Sequence, residues 1–276
     1  ARACLVSLQA HALWRHACGP LSELRGLGAR GGREQGKGAR MKYLEYPNLN
    51  RINAFLRDVN VGDHVTRGVA EAYSCKLAGV DKKLSKSLEA DVVESLEMSP
   101  SSTAASPVGQ LSEASSRRTL IHLILTLNHM YPDYDFTTLR ARHFSKEPSA
   151  QVVRANVDSR LLELRERWVE AMGPGTPDLS SSVWTAIDEA INVADCDIYS
   201  YDADQEDAEM DGPFSDSHAV WSFAYFFYNR ALKRVCFFSV YMAPRRADED
   251  RDMDEGEQVA YAAVGMDDDV FGDMDL

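Results

Sequence analysis

The stretch WSFAYFFYNRALKRVCFFSVYM, residues 221–242, constrains this chain more than any other. Nine of its 22 residues are aromatic, and Arg230, Lys233 and Arg234 sit between the two aromatic runs. Side chains alternate between the two faces of a strand, so the two sets can be read separately. Trp221, Phe223, Tyr225 and Phe227 share one face, and Val220, Ala224, Phe226 and Tyr228 share the other. Residues 235–242 repeat the pattern. A strand that is apolar on both faces belongs inside a sheet covered on both sides. Asn229, which tolerates positive φ, stands where a hairpin turn is needed. The stretch is therefore expected to be a central hairpin whose rings are mostly core. Its three cations cannot all be buried, so the hairpin end is expected to face a partner or solvent.

The rest of the chain offers elements to cover such a sheet. MKYLEY from Met41 reads as a short strand, and Pro47 opens a helix carrying Leu49, Ile52, Phe55 and Leu56 on one side. Residues 64–78 read as a half-buried strand with one flaw, Glu71. Residues 81–98 read as a helix with a charged face. The apolar run at 117–136 favours a buried helix over a strand. Residues 149–170 form a helix on the 3.6 period of Val153, Val157, Leu161, Leu164 and Trp168. A further helix spans 181–194, with Trp184, Ile187, Ile191 and Ala194 on one side, and CDIYSYD (196–202) reads as a strand. The fold class is α/β of the α+β kind, an antiparallel sheet flanked by helices in one domain.

Three segments lie outside that scheme. Residues 1–40 are basic and glycine-rich, with seven Lys/Arg against two Glu. They fit a mitochondrial transit peptide or, with glycine dense and serine scarce, an unstructured leader before Met41. Residues 99–116, SPSSTAASPVGQLSEASS, have almost no large side chain and are expected to be a flexible linker inside the fold. They divide the domain into 41–98 and 117–246. The tail 247–276 holds twelve Asp/Glu against one Arg and is expected to be disordered.

Charge and motifs exclude several functions. The net charge of -13 repels nucleic acid on average. Five scattered cysteines read as reduced thiols, with no close ligand pair for zinc. No stretch approaches the roughly 18 apolar residues of a membrane span. Phosphate-loop, dinucleotide, nucleophile-elbow and HExxH patterns are missing from the sequence. His122, in an apolar run, reads as a core residue. The run 207–218 imitates a calcium loop at Asp207, Glu209, Asp211 and Gly212 but ends in His218 instead of a bidentate Glu. It reads more simply as a solvated acidic loop. WSFAYFFY lacks the glycine and leading cation of an RNA-recognition strand, which leaves an RNA-binding module on 221–242 as the alternative. Ser99-Pro100 and Ser106-Pro107, followed by Ser112, Ser115 and Ser116, are kinase-type sites if the linker is accessible. A phosphate there would add negative charge beside Arg117 and Arg118.

Five blocks then occur in order: AYSCKLAG, LNHMYPDYDFTTLRARHFSKEPS, VWTAIDEAI, CDIYSYDAD and WSFAYFFYNRALKRVCFFS. Together they resemble the Maf1 family, negative regulators of RNA polymerase III transcription, over about Met41 to Ala243. The resemblance implies a single antiparallel-sheet unit with flanking helices and a mobile linker. It implies no enzyme activity and no cofactor. It implies direct binding to RNA polymerase III and a block on recruitment by the initiation factor that contains the TATA-binding protein. No membrane and no sequence-specific nucleic acid is implied as a partner. Growth-linked kinases, of the TOR pathway and dependent on cyclic AMP, and opposing phosphatases would set activity and the distribution between nucleus and cytoplasm. By position in the family pattern the phosphosites are Ser99, Ser106 and Ser112. The family motif falls on Asp133, Tyr134, Asp135, Phe136, Trp184, Ile198, Tyr199 and Tyr201, and on Trp221, Phe223, Tyr225, Phe226, Phe227 and Tyr228. Arg230, Lys233, Arg234, Asp202, Asp204 and Asp207 are the partner-contact candidates.

Overall fold

The computed structural model describes residues 40–98, 106–201 and 219–245. Residues 1–39 of the leader, linker residues 99–105 with Ser99, the calcium-like run 207–218 and the acidic tail lie outside the described residues. In chain order the elements are β1 (Lys42–Leu44), α1 (Pro47–Leu56), β2 (Val59–Val61), β3 (His64–Ser74), α2 (Gly79–Met98) and α3 (Ala114–Met130). Then come β4 (Phe144–Lys146), α4 (Ala150–Leu161), α5 (Arg165–Met172), α6 (Leu179–Ile191), β5 (Asp197–Tyr201), β6 (Trp221–Asn229) and β7 (Arg234–Pro244). The strands form one sheet in the order β1-β3-β7-β6-β5-β4, with β2 also on β3, and every pairing is antiparallel.

The aromatic hairpin is the middle of this sheet. Phe226 sits opposite Phe237 and Tyr225 opposite Phe238. Alternation sends Ala224, Phe226, Tyr228, Val235 and Phe237 into one core, where α2 and α3 supply Leu88, Leu120, Leu123 and Leu127. Tyr225, Phe227, Cys236, Phe238 and Val240 enter a second core with Leu49 and Ile52 of α1, Val153 and Val157 of α4, Trp168 of α5 and Ile187 of α6. Full burial of a ring or aliphatic side chain contributes about 1.5–3 kcal/mol. The hairpin therefore contributes apolar burial to both cores.

Several expectations change at this level. The strand over 64–78 ends at Ser74, and its middle is covered on both faces, not one: Tyr73 enters the first core, Ala70 and Ala72 the second. The flaw at Glu71 has a partner, since the buried Tyr73 hydroxyl donates to its carboxylate at 2.5 Å. The helix over 149–170 is broken by a 3-10 turn at Leu162–Leu164. Its buried stripe spaces three rather than four residues there, from Leu161 to Leu164, which a tighter turn satisfies. The helix over 181–194 stops at Ile191, because Asn192 turns left-handed at φ 54°, so Ala194 falls in a following 3-10 turn.

Of the linker expected over 99–116, residues 99–105 lie outside the described residues, and residues 106–116 are more ordered than expected. Residues 106–113 are folded turns and α3 already begins at Ala114. Val108 and Ser116 are buried. Gly109 has φ +103°, and a Cβ there would meet the Ser116 Oγ at 2.6 Å. Arg117 donates through Nη1 to the carbonyls of Leu111 (3.0 Å) and Ser112 (2.8 Å) and through Nη2 to Glu89 of α2 (3.4 Å). The order of 106–116 comes from one valine, one glycine and a neighbouring arginine, not from composition.

Gly68 is where α1 approaches the sheet. A Cβ at this residue would lie 2.8 Å from Val240 Cγ2, 3.0 Å from the Ser239 carbonyl oxygen and 3.2 Å from Leu56 Cδ1. Gly68→Ala should cost roughly 1–3 kcal/mol by overpacking, read as a lower urea midpoint with an unchanged slope.

Candidate functional site

The tip of the hairpin, residues 229–234, joins β6 to β7 and carries the predicted partner cations. Positive φ falls on Lys233 (53°) and not on the expected Asn229. Asn229 serves the turn through its side chain. It is buried, its Oδ1 accepts the Leu232 N–H at 2.9 Å, and its Nδ2 donates to the Ile191 carbonyl at 2.9 Å. Arg234 also turns inward, donating through Nη1 to the Ala190 carbonyl (3.1 Å) and the Tyr46 hydroxyl (2.8 Å). Both residues thus satisfy carbonyls at the C-terminus of α6, where the helix leaves acceptors unpaired. Arg234 is a structural clasp, and Arg230 and Lys233 are the cations left on the surface.

Arg230 Nε is 3.2 Å from Asp197 Oδ2, and Lys146 Nζ is 2.8 Å from the other oxygen. The Asp197 hydrogen bond raises the Lys146 ammonium above its ordinary value. Behind the tip lies a pocket of about 400 Å³. Its mouth carries Lys76, Arg118, Arg230 and Lys233, and its floor includes His122 and Tyr228. His122 Nδ1 and the Tyr228 hydroxyl are 3.0 Å apart. Burial, with a smaller push from Arg118, lowers the His122 imidazole to about 4. Burial likewise raises the Tyr228 hydroxyl to about 12. His122 is a neutral core residue, as its surroundings in the sequence predict. The nearby Cys75 thiol is raised to about 12 by burial and is no nucleophile at neutral pH.

The family-motif residues are mostly architecture. Phe136 is buried, its N–H donates to Asn128 Oδ1 at 3.1 Å, and its ring lies 6.2 Å from Tyr131 and 6.3 Å from Tyr134. Asp135 Oδ1 accepts the Thr137 N–H at 2.9 Å, and Asp133 is exposed. Trp184 donates to Asp158 Oδ1 at 2.8 Å, stands edge-on to Phe227, and lies under the Arg154 guanidinium. Ile198 and Tyr199 are buried, and Tyr201 packs on Phe144. Tyr225, Phe226, Phe227 and Tyr228 are buried, whereas Trp221 and Phe223 are half-buried and stacked, with Arg160 over Trp221.

An RNA-recognition sheet needs a bare face of rings. This sheet has helices on both faces, so the aromatic run provides no stacking platform. Of the predicted phosphosites, Ser112 is exposed. Ser106 is half-buried, and its Oγ accepts the Val108 N–H at 3.3 Å. Asp202, Asp204 and Asp207 lie outside the described residues. Sequence reasoning missed Asp81, buried beneath the first core. It accepts from His129 Nε2 at 2.8 Å and from the Met41 N–H, tying the residue before β1 to α2 and α3. It also missed Asp158, which takes Trp184 and Ser180 at once. Neither lies in a spaced motif; the contacts join residues 22 to 48 positions apart.

The geometry is an exposed, charged hairpin end on a doubly covered sheet. A family model described as Maf1 regulator matches residues 66–239. The chain belongs to this family. It is 35% identical over 210 residues to the repressor of RNA polymerase III transcription maf1 of Schizosaccharomyces pombe, covering 73% of this chain and 82% of that one. It is 31% identical over 244 residues to the repressor of RNA polymerase III transcription of Dictyostelium discoideum, covering 72% and 83%. Two crystal structures of citrus MAF1 match it with TM-scores of 0.57 and 0.58, at 37% and 38% identity. They cover 72% and 71% of this chain and 99% of each crystallised chain.

The buried His122 fixes one sign of pH dependence. Its imidazole sits below the ordinary 6.5 when folded, so the unfolded chain takes up the proton first as pH falls. Its stabilising share is complete above pH 6.5 and should fall by up to about 3 kcal/mol as pH drops toward 4. Denaturant titrations across that window should show a shallower loss in His122→Gln. Arg234→Ala should cost roughly 1–3 kcal/mol by taking this partner from the Ala190 carbonyl and the Tyr46 hydroxyl, while Arg230→Ala stays within about 1 kcal/mol.

Proposed function

We propose that this chain represses transcription by RNA polymerase III. It binds the polymerase and blocks its recruitment to the initiation factor containing the TATA-binding protein. Family membership across the central sheet carries this reading. The relatives from Schizosaccharomyces and Dictyostelium are both described as repressors of RNA polymerase III transcription, and most of their length is matched. The charge of -13 also favours basic protein surfaces over RNA as targets. Burial of the hairpin rings counts against the RNA-binding alternative. The protein acts here as a binding regulator and not as an enzyme.

The contact set of this proposal is Arg230 and Lys233 at the hairpin tip, with the acidic residues Asp202, Asp204 and Asp207. The acidic run and the tail 247–276 address polymerase surfaces that otherwise hold nucleic acid. Nutrient-dependent kinases, of the TOR pathway and dependent on cyclic AMP, silence the protein at Ser99, Ser106 and Ser112. Phosphatases restore it, and the same cycle shifts it between nucleus and cytoplasm. Kinases require an extended substrate, so the turn around Ser106 must open first.

Purified RNA polymerase III should be retained by the immobilised chain in the presence of excess free RNA, and transcription of a tRNA gene should fall in proportion. Loss of retention in the presence of RNA would defeat the proposal. Ser99, Ser106 and Ser112 changed together to Ala should leave a repressor that nutrients no longer silence. Gly109→Ala, which strains the turn beside Ser106, should speed phosphorylation at Ser106 more than at Ser112, read by mass spectrometry.

A further inference from the structure

Most of this protein is acidic, yet the pocket behind the hairpin tip concentrates positive charge. Four cations line it, contributed by the segment after β3 (Lys76), α3 (Arg118) and the tip (Arg230, Lys233). Arg230 is held by Asp197. Among the described residues no carboxylate holds Lys76, Arg118 or Lys233. The single carboxylate in the wall, Glu89, is paired with Arg117. Three separate elements thus aim unneutralised cations at a concavity of about 400 Å³, large enough for a phosphorylated side chain or a small phosphate ester.

The walls supply the neutral donors that such a ligand also needs. Ser85 offers a hydroxyl, and the Tyr228–His122 pair forms a polar patch on an otherwise apolar floor, while the Ser115 hydroxyl donates to Glu113 at 3.2 Å. Lys233 is fixed at the mouth by its left-handed backbone, and its carbonyl accepts the Cys75 N–H at 2.8 Å. That bond keeps the end of β3 and the tip together, so Lys76 and Lys233 do not drift apart. Guanidinium and ammonium groups around a polar cup recognise phosphate oxygens through short, charge-assisted hydrogen bonds.

We propose that this pocket is a receptor for a phosphate monoester. Two sources share that chemistry. One is a free phosphate ester. The other is a phosphoserine of the chain itself, since the Ser-Pro stretch joins α2 and α3, the two helices that supply Ser85, Glu89, Ser115 and Arg118 to the wall.

The test uses the full chain and no polymerase, so its failure leaves the repressor reading standing. Inorganic phosphate is titrated at 0.15 M salt and followed by calorimetry. Saturable binding is expected. The pair Arg118→Gln with Lys233→Asn should weaken it at least roughly tenfold, the loss of one charge-assisted contact or more. Both side chains are exposed, and Asn accepts the left-handed backbone, so the melting temperature should hold. Arg57→Gln with Lys42→Gln, an equal charge change on two exposed residues outside the pocket lining, should leave binding intact. The titration is then repeated on chain phosphorylated at its serines. Refusal of added phosphate assigns the pocket to the chain's own phosphoserine, and unchanged binding assigns it to a free ester. An unphosphorylated chain without saturable binding, or a double variant that binds as well as the parent, would overturn the proposal.

Discussion

A pair of strands apolar on both faces is stable only between two layers. The β6–β7 hairpin imposes that requirement on the described residues, and every helix among them finds its place by meeting it. One layer is made by α2 and α3, the other by α1, α4, α5 and α6. The flanking strands extend the sheet and carry its polar exceptions. Glu71 is tolerated inside because Tyr73 donates to it, and Asp81 because His129 and the Met41 N–H do. Unpaired, each buried carboxylate would cost several kcal/mol.

The same burial decides where function can reside. Rings that the sequence displays most prominently are the least available to a partner, since Phe226, Phe227, Phe237 and Phe238 have almost no exposed surface. What remains outside is charge. It is unevenly distributed, with cations gathered around one pocket on a molecule of net charge -13. Regulation by protein contact suits such a surface better than readout of nucleic acid, whose phosphates the bulk of the protein repels.

Periodicity made the sheet and its covering legible. Alternation at Tyr225–Tyr228 predicted two buried faces, and the stripe from Val153 to Trp168 predicted a helix against them. The helix ends were legible only in part, because a left-handed Asn192 and a 3-10 turn respond to packing and not to composition. The turn at 106–113 was not legible, since Val108, Gly109 and Arg117 fold it through contacts that a Ser-Pro-rich string does not advertise. At the candidate site the cations of RALKR were plain, but their division was not. Arg234 faces inward because the Ala190 carbonyl of α6 and the Tyr46 hydroxyl lie within its reach, and only the fold brings residues 46, 190 and 234 together. Lys76 and Arg118, far apart in the chain, join Lys233 for the same reason.

Asn229 and Arg234 grip consecutive carbonyls, Ile191 and Ala190, at the end of α6. The tip is therefore anchored to a helix that runs through the second core and not to a loop. A load placed on the tip passes along that helix to Val183 and Ile187, deep between the sheet and α1. A partner that grips the tip meets a stiff handle. Work done there goes into displacing the two objects against each other, with little lost in bending the hairpin itself.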